Sequence, residues 1–258
     1  DLHNGDCLEL MKDIPDGSVD LTVTSPPYDN LRTYNGNIDQ WNFEKFQAIA
    51  KELYRITDDG GVVVWIVADA TIKGSETGTS FRQALYFMDC GFNLHDTMIY
   101  EKNGTGACGS NNCYWQTFEY MFVFTKGKIK TVHRLDNGKP RTKGGIKTGR
   151  TTKDGIQKVE KRSDAEGKLQ LRSNIWRYNV GFTSGDDKTG HPAPFPEQLA
   201  NDHIISWSNE GDTVFDPFLG SGTTGKMALL NSRNFIGIEL DPTYFDIAQK
   251  RIAEAQRR

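Results

Sequence analysis

Two segments carry residues whose types and spacing suit chemistry. Thr24-Ser25-Pro26-Pro27-Tyr28 combines a hydroxyl, two rigid imide units and an aromatic ring. An exocyclic amino group on a nucleobase is a poor nucleophile, because its lone pair is delocalised into the ring. Acceptors that hold the amino hydrogens localise that lone pair. The Ser25 side-chain oxygen and a carbonyl fixed in the Pro26-Pro27 unit are such acceptors, and Tyr28 can stack on the base. A base handled in this way must leave the double helix, so the segment implies base flipping. On its own it is also compatible with a proline-rich turn that packs an aromatic.

The second segment is Asp216-Pro217-Phe218-Leu219-Gly220-Ser221-Gly222-Thr223-Thr224-Gly225. Its glycines spell G-x-G-x-x-G, and Glu239 lies 19 residues after Gly220. Glycines let a backbone approach an adenosine ligand, and a carboxylate at this distance accepts ribose hydroxyls. The spacing alone also fits a dinucleotide site. Position opposes that: only 33 residues follow Gly225, so most strands of the sheet must come from upstream. Asp216 can accept from an ammonium, which suits a cofactor with an amino-acid end.

Elements that must position these segments follow from hydrophobic spacing. Val19–Thr24 reads as a strand running into Ser25, and prolines at 26 and 27 forbid its continuation. Phe43 to Thr57 shows i, i+3, i+4 apolar spacing and reads as a helix. Val62–Val67 is a continuous apolar run, expected of a strand buried on both faces in a parallel sheet. A helix over Phe81–Cys90 and strands over Leu94–Tyr100 and Phe118–Phe124 follow. After residue 172 the pattern resumes with Ile175–Tyr178 and a proline-initiated helix over Pro194–Trp207. Then come a strand at Thr213–Phe215, a helix at Thr223–Leu230, a strand at Phe235–Glu239 and a helix at Pro242–Gln256. Strands alternating with helices predict an α/β class with a mostly parallel, doubly wound, Rossmann-like sheet. Trp65 and Trp207 are expected in the core; His3, His95, His133 and His203 show no ligand spacing.

Charge divides the chain. The total is −3, but residues 126–177 hold 16 Lys and Arg against 5 Asp and Glu, leaving an acidic remainder. Cations interleaved with Gly and Thr in Lys143-Gly144-Gly145-Ile146-Lys147-Thr148-Gly149-Arg150 taken alone fit a solvated charged loop; beside a base-modifying segment they suit phosphate contacts and salt-dependent affinity for double-stranded DNA. Arg141, Lys143, Lys147, Arg150 and Lys153 are candidate DNA contacts. Arg32 either contacts the flipped strand or packs in its loop. The expected organisation is a catalytic half at 1–125, a basic insertion at 126–177 and a cofactor half at 178–258. No run reaches the ~20 apolar residues of a membrane span. Four cysteines without a CxxC read as reduced thiols. No metal site is expected.

Taken in order, these motifs resemble the S-adenosylmethionine-dependent amino-DNA methyltransferases of the β order, whose catalytic motif precedes the cofactor loop. The resemblance covers nearly the whole chain except its basic middle, and it implies a circularly permuted methyltransferase fold. By resemblance, Ser25, Pro26, Pro27 and Tyr28 are catalytic. Asp216, Pro217, Phe218, Gly220, Ser221, Gly222, Thr223 and Thr224 form the S-adenosyl-L-methionine loop, followed by Glu239 for the ribose and Asp241. Asp6 and Cys7 resemble the segment at the cofactor's adenine, with Asp6 on its amino group; His191, Pro192 and Phe195 resemble the segment bordering its methionine end. The 126–177 insertion occupies the place of the family's target-recognition region. Ser in place of Asp at position 25 is more typical of cytosine-N4 than of adenine-N6 enzymes, so N4 methylation is expected, with N6 as the alternative. Cytosine-C5 chemistry needs a cysteine nucleophile after a proline, and none is present. The resemblance further implies a cytoplasmic enzyme of bacterial or phage-encoded restriction-modification type. It also admits a homodimer.

Overall fold

The computed structural model describes residues 1–27, 41–103, 114–140, 151–152, 155–156, 168–179 and 196–257. The chain forms two compact units, Asp1–His133 with Asn174–Arg258, and Arg134–Ser173.

The larger unit is built on an eight-stranded sheet in the order β1 (Leu2–Asn4), β14 (Asn234–Glu239), β13 (Thr213–Asp216), β2 (Val19–Thr24), β3 (Thr57–Val67), β7 (Phe118–Thr125), β6 (Asn93–Asn103), β12 (Ile175–Asn179). All neighbours are parallel except β7, which runs antiparallel to both β3 and β6. The apolar run Val62–Val67 is buried throughout, as expected, but only its β2 side is parallel. A two-stranded ribbon, β4 (Thr71–Ile72) and β5 (Ser75–Glu76), follows β3.

Helices α1 (Cys7–Leu10), α2 (Phe43–Ile56) and α3 (Thr79–Asp89) accompany one face. There Phe46, Trp65, Phe87 and Phe124 form a fully buried aromatic core. The apolar stripe of α2 buries Phe46, Ile49, Leu53 and Ile56, and Asn42 caps its start by accepting from Lys45 N. Burying each such side chain contributes roughly 1.5–3 kcal/mol. Helices α4 (Glu197–Trp207), α5 (Thr223–Leu230) and α6 (Pro242–Gln256) pack together on the other face. α4 begins after Pro196, which is extended at its cap; residues 194 and 195 of the expected helix lie outside the described residues. No helix of the described residues is long and apolar enough to cross a membrane.

The smaller unit contains β8 (Asp136–Pro140) paired antiparallel with β11 (Leu169–Leu171), and the pair β9 (Thr151–Thr152) and β10 (Gly155–Ile156). It is narrower than the 126–177 span of the charge count. Lys126 and Lys130 belong to the sheet unit, where Lys126 Nζ donates to Thr57 O at 2.8 Å and Lys130 pairs with Asp20 at 2.6 Å. Arg177 lies on β12 and pairs with Glu101 at 2.6 Å. The smaller unit keeps 12 Lys and Arg against 5 Asp and Glu.

Candidate active site

The ends of β1, β2, β13 and β14 lie at one edge of the sheet because these strands are parallel neighbours. That edge is where open α/β sheets hold ligands. Asp216, the last residue of β13, is buried; its Oδ1 accepts from Thr24 Oγ1 at 2.7 Å and from Phe218 N at 3.0 Å. Burial pushes its carboxyl up to about 6, against the opposing pull of these bonds. The glycine loop then turns on itself through Gly222 N to Leu219 O at 2.9 Å, and Leu219 N binds Ile238 O of β14 at 2.9 Å. Gly222 caps α5 with φ +86, a left-handed conformation that favours glycine. Gly225 has a different reason: a Cβ there would meet Phe235 Cε1 at 2.5 Å and Ile252 Cδ1 at 2.6 Å.

Glu239 ends β14 with both oxygens anchored. Gly220 N donates to Oε2 at 2.7 Å and Asp241 N to Oε1 at 2.9 Å. Burial raises its carboxyl above the ordinary range. Asp241 caps α6 through Thr243 N at 2.8 Å. Two residues after β1, Asp6 caps α1 by accepting from Leu8 N (2.8 Å) and pairs with Lys45 Nζ at 2.6 Å. Its partial burial alone would raise the Asp6 carboxyl, but the bonds from Lys45 and Leu8 outweigh it and hold it below the ordinary value. Cys7 is buried in the core, which pushes its thiol up to about 12 and keeps it protonated.

Directly after β2, Ser25 and Pro27 are partly exposed and Pro26 is buried, and Ser25 follows the Thr24 whose hydroxyl donates to Asp216. One buried hydrogen bond thus joins the end of the Ser-Pro-Pro strand to the start of the glycine loop across 192 residues of chain.

The sequence model of the DNA methylase family, the N6/N4 methyltransferases, matches residues 19–250. The chain belongs to this family. Among curated proteins, the methylase is 53% identical over 249 residues to the orphan methyltransferase M.BamHII of Bacillus amyloliquefaciens, covering 94% of this chain and 92% of that one. It is 27% identical to the type II methyltransferase M.BglII of Bacillus subtilis, over 96% and 67% of the two chains. Among solved structures, the M1.HpyAVI–SAM complex superposes with a TM-score of 0.67 at 25% identity, covering 97% of this chain and 98% of that chain. The cytosine-N4-specific PvuII DNA methyltransferase shares the fold, with a TM-score of 0.69 at 21% identity over 100% and 91% of the chains.

In the methylase, Ser25, Pro26, Asp6, Asp216, Gly220, Glu239 and Asp241 therefore gather at one edge. Tyr28, Arg32, Arg141, Lys143, Lys147, Arg150, Lys153, His191, Pro192 and Phe195 lie outside the described residues. Three contributors escape sequence reading. Arg251 of α6 braces the loop by donating to Ser221 O at 2.8 Å and Ser221 Oγ at 2.7 Å, and it pairs with Glu197 at 2.9 Å. Asp69, buried two residues past β3, accepts from Ser80 N at 2.9 Å and so caps α3 from a distance. Lys45 on α2 holds Asp6. Only for Asp69 is there a local signal, an acid two residues after an apolar strand.

Proposed function

We propose that the chain transfers a methyl group from S-adenosyl-L-methionine to the exocyclic N4 of a cytosine turned out of double-stranded DNA. The observation that carries this reading is the Thr24–Asp216 bond, which ties the Ser-Pro-Pro segment to the glycine loop. Donor chemistry of the edge fits the cofactor. Carboxylates Asp6, Asp216, Glu239 and Asp241 stand where three neighbouring strands end. Such a set suits a molecule bearing a sulfonium, an ammonium, a ribose diol and an adenine amino group. Glu239, fixed by two backbone N–H groups, is the acceptor for the diol, and Asp6 borders the adenine. The relative crystallised as a SAM complex supports the same cofactor.

When bound, S-adenosyl-L-methionine supplies an electrophilic methyl group. The residues of this chain contribute orientation. Ser25 Oγ and a carbonyl of the Pro26-Pro27 unit accept the amino hydrogens and localise the nitrogen lone pair. The methyl is then attacked in line and a proton leaves afterwards, with no covalent enzyme intermediate. Rate enhancement from such near-attack positioning reaches several kcal/mol. Ser rather than Asp at position 25 supports cytosine over adenine.

Mass spectrometry of nucleosides from DNA incubated with the enzyme tests the target. N4-methylcytosine is expected, and N6-methyladenine alone overturns the cytosine assignment. The basic unit Arg134–Ser173 is the proposed target-recognition region. Replacing Arg141, Lys143, Lys147 and Arg150 by Ala is expected to lower the slope of log K against log salt by about 0.9 for each phosphate left unneutralised. An unchanged slope removes that role. Action on DNA and relatives from bacteria support a cytoplasmic location.

A further inference from the structure

Two aromatic side chains just before β7 are exposed among the described residues. Tyr114 is 101% exposed and Trp115 is 59% exposed. Three other tryptophans, Trp65, Trp176 and Trp207, are 0%, 6% and 8% exposed. Because β7 runs antiparallel, its start lies at the same edge as the ends of β2 and β3. Register makes this explicit: Thr24 is opposite Trp65, Val67 is opposite Tyr120, and Phe118 is opposite Glu101. Lys102 N donates to Thr117 O at 2.7 Å, which holds the chain in line one residue further. Trp115 therefore lies beyond the sheet on the Ser25 side. β7, which begins three residues after Trp115, is two strands from β2, a lateral step of roughly 10 Å, and along the strands Trp115 lies six residues past Met121, which is level with Ser25, an offset of up to roughly 20 Å. Partly exposed aromatics lead up to it: Phe81 and Phe118 each pack a ring against Tyr120 with centroids 5.3 Å apart.

We infer that Trp115, flanked by Tyr114, is a wedge that enters the duplex and stacks on the base left without its neighbour when the target cytosine is turned out. The inference rests on the base-flipping reading above. Opening a base pair unstacks its neighbours, and an inserted apolar side chain restores part of that stacking. A tryptophan held out in water at this edge is suited to that role, since any base offers it a π-face. No atoms are exchanged. The wedge acts by stabilising the opened duplex, so Trp115 is a positioning residue and not a catalytic one.

Steady-state methylation by the full chain, on a duplex carrying the site mapped by sequencing, provides the test. Methyl transfer by the unaltered enzyme reports the underlying reading; if no DNA is methylated, that reading and the wedge fall together. Given transfer, Trp115→Ala should lower kcat/KM on a paired target roughly five- to hundredfold. Trp115→Phe should keep most of the activity, and calorimetry should show unaltered S-adenosyl-L-methionine binding in both. On a mismatched target, already half open, the Trp115→Ala loss should shrink. Equal losses on paired and mismatched duplexes, or no loss on either, overturn the wedge. Should Trp115→Ala not fold, tryptophan emission decides. Duplex added with S-adenosylhomocysteine should quench the unaltered protein, and that quenching should vanish in Trp115→Phe. Undiminished emission on saturation with duplex refutes the inference.

Discussion

The glycine-loop side and the Ser-Pro-Pro side of the sheet edge hold their shape by opposite means. The loop from Asp216 to Gly222 is tied by hydrogen bonds: Phe218 N to Asp216, Gly220 N to Glu239, Leu219 N to Ile238 O, and Arg251 to Ser221. Two of its glycines have φ of +54 and +86. The segment after β2 has no amide donors at 26 and 27 and is stiffened by the proline rings themselves. Backbone donors hold the loop by many weak bonds, whereas the proline rings restrict the other segment through covalent geometry alone. Asp216 is where the two strategies meet, since one carboxylate oxygen serves Thr24 on one side and Phe218 N on the other.

Breaking that junction should cost most. Asp216→Ala removes the acceptor of the buried Thr24 hydroxyl and of the part-buried Phe218 N–H, and a stability loss of roughly 2–5 kcal/mol is expected in urea unfolding, with weakened cofactor binding. A loss under about 1 kcal/mol contradicts the junction. Glu239→Gln turns an anchored acceptor pair into a mismatched amide against two N–H groups. Cofactor affinity by calorimetry should fall about ten- to a hundredfold, with chemistry on the Ser25 side little changed at saturation. Gly225→Ala forces a methyl into Phe235 and Ile252, both 5% exposed, and is expected to lower stability by ~1–3 kcal/mol despite alanine's helix preference. An unchanged Tm would show that the packing yields.

The smallest effect is a difference in pH dependence. Burial raises Asp216 from an ordinary 3.8 to about 6, so between those values the folded chain holds a proton that the unfolded chain has lost. Its contribution to stability therefore grows as pH falls from about 7 to about 4. His203 does the reverse. Burial lowers it from 6.5 to about 3, so the unfolded chain takes up the proton first and stability falls with pH across that window. Asp216→Asn should steepen acid destabilisation and His203→Gln should relieve it; parallel curves for both variants contradict the assignment.

Legibility differed between these regions for local reasons. The glycine loop could be read because its conformation demands glycine at fixed intervals and its strand and helix flank it directly. The long helices α2 and α6 could be read from their apolar spacing and from Pro242 at a helix start. β1 could not, since three residues carry no period; it exists through pairing with β14, more than two hundred residues away. The 126–177 charge count also joined unlike things. Lys126, Lys130 and Arg177 share its sign but are spent within the sheet unit on Thr57, Asp20 and Glu101.

Residue order by itself determined the α/β class, the proline stop after β2, the glycine turn and the acid that follows it, because each depends on local backbone freedom or local periodicity. Only the tertiary structure decided that Thr24 and Asp216 share a bond, that Lys45 holds Asp6 and Arg251 holds Ser221, and that β7 turns antiparallel, which puts its start beside the end of β3. Those pairings join distant residues, and their partners are selected by burial and register, quantities that no local stretch of sequence contains.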